Sequence, residues 1–371
     1  MSQRSIETKL VQLGNLSDAK TGAINPPIYM STAYQHTGIG ESTGYDYTRT
    51  KNPTRTILEQ GIAELENGDN GFACSSGMAA VQLVMSLFKP NDELIVPEDL
   101  YGGTYRLFKT FAENYNIKPV YNPFTNVEEV ESLINENTKA LFIETPTNPL
   151  MQEIDLVEYA ALAEKHNLLL IVDNTFYTPY FQRPLELGAH IVLHSATKYI
   201  GGHNDVLAGL VVAKGSELCE KLAFYHNGIG MVLSPMDSWL LIRGLKTLHL
   251  RLKQHDANAK KVAEYLADEP LVTDVLYTGK GGMLSFRVKD STMVNPFLKG
   301  IKLITFAESL GGVESFITYP ATQTHADMPY EERVARGVCD RLLRFSVGIE
   351  EAEDLIADLK QVFDSLRGEF A

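Results

Sequence analysis

Cysteine is scarce: Cys74, Cys219 and Cys339 are the only three in 371 residues, lie far apart and form no Cys-x-x-Cys pair. That excludes a disulfide framework and a paired-cysteine zinc site, and it is the usage expected of a chain in the reducing cytoplasm. Positive charge is also in deficit, with 33 Lys and Arg against 47 Asp and Glu and a formal charge of −14. Such a balance repels nucleic acid and anionic membrane, so small molecules are the expected partners. No stretch approaches the ~20 apolar residues of a membrane span. Arg4, Glu7 and Lys9 stand where an export signal needs an apolar core.

Several catalytic signatures are missing as well. Gly38-Ile-Gly40 and Gly228-Ile-Gly230 lack the third glycine of a dinucleotide fingerprint. Thr278-Gly-Lys-Gly-Gly282 lacks the upstream glycine and the Lys-Ser/Thr ending of a phosphate loop, and reads as a turn. There is no Gly-x-Ser-x-Gly elbow and no His-Glu-x-x-His, and the nine histidines are dispersed. No metal site is expected.

What is present is a 44% hydrophobic, 22% charged chain, long enough for one large and one smaller domain. Short apolar runs at 71–74, 93–96, 139–143, 168–172, 191–193 and 208–213 alternate with segments of helical period. Leu156, Tyr159, Ala160, Ala163 and His166 fall at helical spacing, and 78–88 reads as an apolar helix opening just after Gly77. The pattern predicts an α/β fold with a largely parallel sheet under covering helices. Before Gly71 lies an irregular, Gly- and Pro-punctuated arm that needs a partner to lie on. Residues 240–252 read as a long helix, and the last helix, 350–366, as a solvated amphipathic one. We divide the chain into an arm (1–58), a large domain (59–249) and a C-terminal domain (250–371).

In an open parallel sheet, ligands sit beyond the carboxyl ends of the strands, so polar residues directly after the apolar runs matter most. Asp173 follows one run; His194, Ser195, Thr197 and Lys198 follow another; Ser75, Ser76 and Gly77 a third; Glu144 and Asn148 a fourth. Hydroxyls at Ser195 and Thr197, with the helix start at Ser76-Gly77, suit a phosphate. A carboxylate at Asp173 favours a protonated pyridine nitrogen. Lys198, in surroundings that disfavour an ammonium, suits condensation with an aldehyde. Phosphate, pyridine and aldehyde together describe pyridoxal phosphate.

The segment His194-Ser-Ala-Thr-Lys198-Tyr-Ile-Gly-Gly-His203, with Val172-Asp-Asn-Thr175, resembles the transsulfuration group of pyridoxal-phosphate enzymes of cysteine and methionine metabolism. The likeness continues through Tyr45-Asp-Tyr-Thr-Arg49, Asn52-Pro-Thr-Arg55, Ser75-Ser-Gly-Met78, Asp99-Leu-Tyr101-Gly-Gly-Thr-Tyr-Arg106, Glu144-Thr-Pro-Thr-Asn-Pro149, Glu308-Ser-Leu-Gly-Gly-Val-Glu-Ser315 and Arg344-Phe-Ser-Val-Gly348. The resemblance implies the aspartate-aminotransferase-like fold (fold type I), with a mostly parallel seven-stranded sheet and a smaller C-terminal α/β domain. It implies that Lys198 is the cofactor lysine and proton carrier, that Tyr101 stacks on the cofactor, and that Asp173 meets its ring nitrogen. Ser195, Thr197 and the backbone of Gly77 and Met78 would hold the phosphate, joined by Tyr47 and Arg49 reaching across from a neighbouring subunit. Arg344 would grip the substrate α-carboxylate with Asn148 and Ser315 as helpers. Glu314 would meet a distal ammonium, and Asp46 and Arg106 would line the mouth.

These residues serve both γ-replacement and γ-elimination. Gly103 stands where methionine γ-lyases carry cysteine, which counts against that branch. Over the whole chain the likeness is nearest to the bacterial γ-replacing branch, implying that O-acylhomoserine and cysteine join into cystathionine, with sulfide as a second nucleophile. A lyase acting on cystathionine and an inactive, metabolite- or partner-binding relative are the alternatives. The family implies a homo-oligomer, a tetramer built from dimers with shared sites. Residues 278–282 are shorter than the histidine-bearing loop of many members, which puts specificity and subunit surface in question.

Overall fold

The computed structural model describes residues 4–370. Seven strands form the larger sheet: β1 (Asn70–Cys74), β2 (Glu93–Pro97), β3 (Lys118–Asn122), β4 (Thr138–Glu144), β5 (Leu169–Asp173), β6 (Ile191–Ser195) and β7 (Gly209–Ala213). Their order is β1-β7-β6-β5-β4-β2-β3, and β7 alone runs against the others, being antiparallel to both β1 and β6. Both faces are covered, which is why the strands read as continuous apolar runs rather than alternating ones. Leu170, Val172 and Val192 join the core on one face, and Ile171, Ile191 and Leu193 the core on the other.

The apolar runs locate six of these strands; the seventh, β3, has no such run. Its sequence Lys-Pro-Val-Tyr-Asn is half polar and contains Pro119. At the edge of the sheet, with one side unpaired, both features are tolerated.

A second sheet contains β8 (Val272–Leu276), β9 (Met283–Val288), β10 (Thr305–Phe306), β11 (Phe316–Thr318) and β12 (Leu342–Ser346), in the order β10-β11-β12-β9-β8. The helix Ala352–Phe370 lays Leu355, Leu359, Val362, Phe363 and Leu366 on this sheet's core.

The long helix expected at 240–252 is two helices, Pro235–Lys246 and Leu248–Ala267. Arg251 explains the break, because its buried guanidinium donates to the carbonyls of Tyr199 (2.6 Å) and Gly244 (2.8 Å) and so takes up a helix-end acceptor. In the second helix Leu248 and Leu252 belong to the large-sheet core, whereas Ala259, Val262 and Leu266 belong to the small-sheet core. One rigid element thus carries the chain from one core to the other and spans the proposed boundary at 250.

In the arm, the buried Arg55 donates to the carbonyls of Thr48 (2.8 Å) and Arg49 (3.1 Å) from the first turn of the helix Pro53–Glu66. The segment bearing Tyr47 and Arg49 is thereby anchored at its base while Tyr47 itself stays half exposed. Among the described residues no helix is long and apolar enough to cross a membrane.

Candidate active site

A cavity of about 180 Å³ lies beyond the carboxyl ends of β1, β4, β5 and β6 and is bounded on its far side by β12 and the segment Glu308, Ser309, Leu310. Its walls include Gly77, Met78, Tyr101, Asn148, Asp173, Ser195, Thr197, Lys198 and Arg344. Residues distant in sequence are brought together because four strands end at one edge of the large sheet.

One end of the cavity is built for an anion. Ser76 caps the helix Gly77–Met85, its hydroxyl accepting from the Ala79 N–H at 3.0 Å, which leaves the Gly77 and Met78 N–H groups free at the positive end of the helix. A Cβ on Gly77 would lie 2.8 Å from Ser195 Oγ, so only glycine lets the helix start approach β6 this closely. Thr197 Oγ1 accepts from the Ala208 N–H at 3.0 Å, which holds the turn after β6 against β7.

Asp173 closes β5. Its Oδ1 accepts from the Thr175 N–H (3.0 Å) and hydroxyl (2.6 Å), while Thr175 Oγ1 in turn accepts from the Ser195 N–H at 2.8 Å. Thr175, which sequence reasoning missed, thus ties the acid to the anion end. Oδ2 of Asp173 has no protein donor among the described residues. Burial raises the carboxyl above its ordinary pKa, opposed by the Thr175 hydrogen bonds. A cation brought beside it would restore its charge.

Lys198 follows β6 with its Nζ donating to Ser309 Oγ at 3.2 Å. Burial, aided by the Arg344 charge and opposed by Glu308, pulls its pKa down to about 8. A usable fraction of neutral amine therefore exists near neutral pH.

Arg344, on β12, is buried. Nη1 donates to Asn148 Oδ1 (2.9 Å) and Nη2 to Thr318 Oγ1 (3.0 Å) and the Ser309 carbonyl (3.2 Å). All three partners are neutral oxygens, Nε has none, and no carboxylate of the described residues forms an ion pair with this guanidinium. Burial lowers its pKa to about 10. A buried guanidinium that faces a cavity with no ion-pair partner has the donors to receive a carboxylate.

Tyr101 precedes the helix Gly102–Tyr115, with its backbone N–H held by Glu144 Oε2 at 3.0 Å. A side chain on Gly103 would run into the Tyr101 ring, so the glycine makes room for this ring.

The two Glu-Ser pairs of one motif part company in the fold, and Glu314 and Ser315 are the pair that lies away from the cavity. Ser315 hydrogen-bonds to Glu350 (2.9 Å) and the Gly348 N–H (2.8 Å), and Glu314 is exposed, accepting from Asn204 Nδ2 at 2.7 Å. Neither lines the cavity; Glu308 and Ser309, the first Glu-Ser pair of the same motif, do. Arg106 forms a 2.7 Å ion pair with Asp327, and Asp46 pairs with His36 at 2.9 Å, both outside the cavity lining. Tyr47 and Arg49 also stand apart from this chain's cavity, with the Arg49 guanidinium 5.6 Å from the Tyr47 ring centre and Nε donating to Asn227 at 3.3 Å.

The family model of the Cys/Met metabolism PLP-dependent enzymes matches residues 7–364. The chain belongs to that family. Its cofactor is therefore pyridoxal phosphate, and the amine, acid and anion-binding helix end around one cavity fit that molecule's three polar ends. The chain is 64% identical to the cystathionine gamma-synthase of Haemophilus influenzae over 98% of this chain and 99% of the relative. It is also 64% identical to a Bacillus subtilis cystathionine gamma-synthase/O-acetylhomoserine (thiol)-lyase, covering 97% and 96% of the two chains. The crystal structure of cystathionine gamma synthase from Xanthomonas oryzae pv. oryzae, in complex with aminoacrylate and cysteine, superposes with a TM-score of 0.96 at 40% identity, covering 99% and 100%. The fold is thus the one inferred from the family's motifs, a mostly parallel seven-stranded sheet with a smaller second sheet.

Proposed function

We propose that this enzyme performs γ-replacement on O-acylhomoserine, with cysteine as the thiol and cystathionine as the product, and with sulfide as a second nucleophile giving homocysteine. The observation that carries an α-amino acid substrate is Arg344, a buried guanidinium without a carboxylate partner in the same cavity as Lys198. The choice of γ-replacement is supported by the two relatives at 64% identity.

In this reading the Gly77 and Met78 N–H groups and the Ser195 and Thr197 hydroxyls would hold the phosphate, Tyr101 would cover the ring, and Asp173 would meet its nitrogen. Bound pyridoxal phosphate supplies an electron sink that acidifies the substrate's α-proton. Arg344 and Asn148 hold the α-carboxylate, fixing Cα within reach of Lys198. Lys198 Nζ takes the proton from Cα and then one from Cβ, and the acyloxy group leaves Cγ. The thiol sulfur bonds to Cγ, and protons returned through Nζ complete the product. Glu308, which lines the cavity, would meet the ammonium of the incoming amino acid in place of Glu314.

The arm (1–58) carries Tyr47 and Arg49 to the phosphate of a neighbouring subunit's large domain (59–249), in a tetramer of shared-site dimers. Support comes from exposed Met30, Ile39, Leu207 and Phe224, apolar side chains of a size usually covered. The three free cysteines are consistent with work in the cytoplasm.

Incubation with O-acetyl- or O-succinylhomoserine plus cysteine tests the reading against a second mixture of cystathionine alone. Cystathionine from the first mixture is the expected product. Keto acid and ammonia from the second, with no cystathionine from the first, would replace the synthase by a lyase.

A further inference from the structure

Glu144 lines the cavity yet has no part in the scheme above. It is the last residue of β4 and pairs in register with Asp173 at the end of β5, so the two carboxyls stand side by side on one face of the sheet. Its Oε2 accepts the Tyr101 N–H at 3.0 Å, across 43 positions of sequence. The loop that carries Asn148 begins directly after Glu144. Asn148 in turn accepts from Arg344 at 2.9 Å. One side chain therefore stands between the loop after β2, which presents the Tyr101 ring, and the loop after β4, which presents Asn148 to Arg344.

We propose that Glu144 is a positioning residue: by accepting the Tyr101 N–H from the strand end that opens the Asn148 loop, it sets the face of Tyr101 against the Asn148–Arg344 grip. This rests on the roles proposed above for Tyr101, Asn148 and Arg344. What the side chain contributes is reach and an acceptor oxygen, not charge. Two buried carboxyls on adjacent strands do not both ionise readily. Burial first, and then the neighbouring Asp173, hold the Glu144 carboxyl well above its usual range. Glutamine has the same shape and retains an acceptor oxygen. Aspartate retains the ionisable group but is shorter by one C–C bond, about 1.5 Å, which takes its oxygen out of hydrogen-bonding range of Tyr101.

The two conservative variants therefore rank oppositely under a positioning role and under a charge role. The holoenzymes of Glu144→Gln and Glu144→Asp are compared by visible circular dichroism of the bound cofactor, which reads its asymmetric surroundings without substrate, and by KM for the amino acid substrate. Glu144→Asp is expected to lose about half or more of the visible signal and to raise KM about tenfold or more, with Glu144→Gln keeping most of the signal and raising KM no more than about threefold. Gln as damaging as Asp or worse, or Asp as mild as Gln, would overturn the proposal. An Arg344→Lys enzyme with unchanged KM would sink the underlying reading of the carboxylate grip whatever Glu144 does, so the two failures are distinguishable.

Discussion

Arg344 spends its Nη donors on Asn148, Thr318 and the Ser309 carbonyl, three oxygens that position the group without neutralising it. A lysine there keeps the charge and loses the planar pair of donors. Losing charge-assisted hydrogen bonds costs about 1.5–3 kcal/mol, so Arg344→Lys is expected to raise KM for the amino acid roughly ten- to a hundredfold, with a smaller change in kcat, in steady-state kinetics. Lys198 gives a second prediction at this scale. Its pKa near 8 means that the neutral amine, the form that attacks an aldehyde, increases as pH rises through about 8. Cofactor uptake by the apoenzyme, followed by absorbance, should accelerate over that range and level off above it. Because the Arg344 charge is the second cause of the depression, Arg344→Met should move the midpoint upward.

At the level of elements, the site depends on how closely strand ends and helix starts approach. Gly77 opens a helix whose first turn lies against the end of β6, with no room for a Cβ beside Ser195. Gly77→Ala must push the helix start away from Ser195, and overpacking of this kind costs about 1–3 kcal/mol. Cofactor affinity, measured by equilibrium titration of the apoenzyme, should fall roughly ten- to a hundredfold with little change in secondary structure by far-ultraviolet circular dichroism. Strands buried on both faces were legible in the sequence because burial makes them uninterrupted apolar runs. β3 was not legible: at the sheet's edge it has no need of such a run. The break at Thr247 was hidden for another reason, since the side chain that takes the helix-end carbonyl, Arg251, lies inside the next helix.

For the whole molecule, the segment that bears Tyr47 and Arg49 is the part of the arm that stands away from its own chain's cavity. Tyr47 and Arg49 lie outside their own chain's cavity, although Arg55 anchors their backbone firmly. If each arm completes a neighbour's site, two inactive variants should complement each other. Arg49→Ala retains Lys198, Lys198→Ala retains an intact arm, and a hybrid dimer of the two holds one complete site. Mixing under conditions of subunit exchange is expected to restore activity that neither variant shows alone; no recovery in hybrids verified by native mass spectrometry would place the arm's function elsewhere.

The sequence by itself determined which polar groups stand at strand ends, because a polar residue that follows a buried apolar run has only the sheet's carboxyl edge to occupy; the places of Asp173 and Lys198 were readable for that reason. Only the tertiary structure decided which Glu-Ser pair faces the cavity. Glu308 and Glu314 are six positions apart, so a two-residue alternation treats them alike, and what separates them is the contact of Ser315 with Glu350 and of Ser309 with Lys198. The partnership of Arg344 with Asn148, 196 positions apart, and the bridging place of Glu144 likewise exist only where two sheets and several loops meet in space. Local residue order encodes which groups the chain offers; the packing of distant segments selects which of them meet.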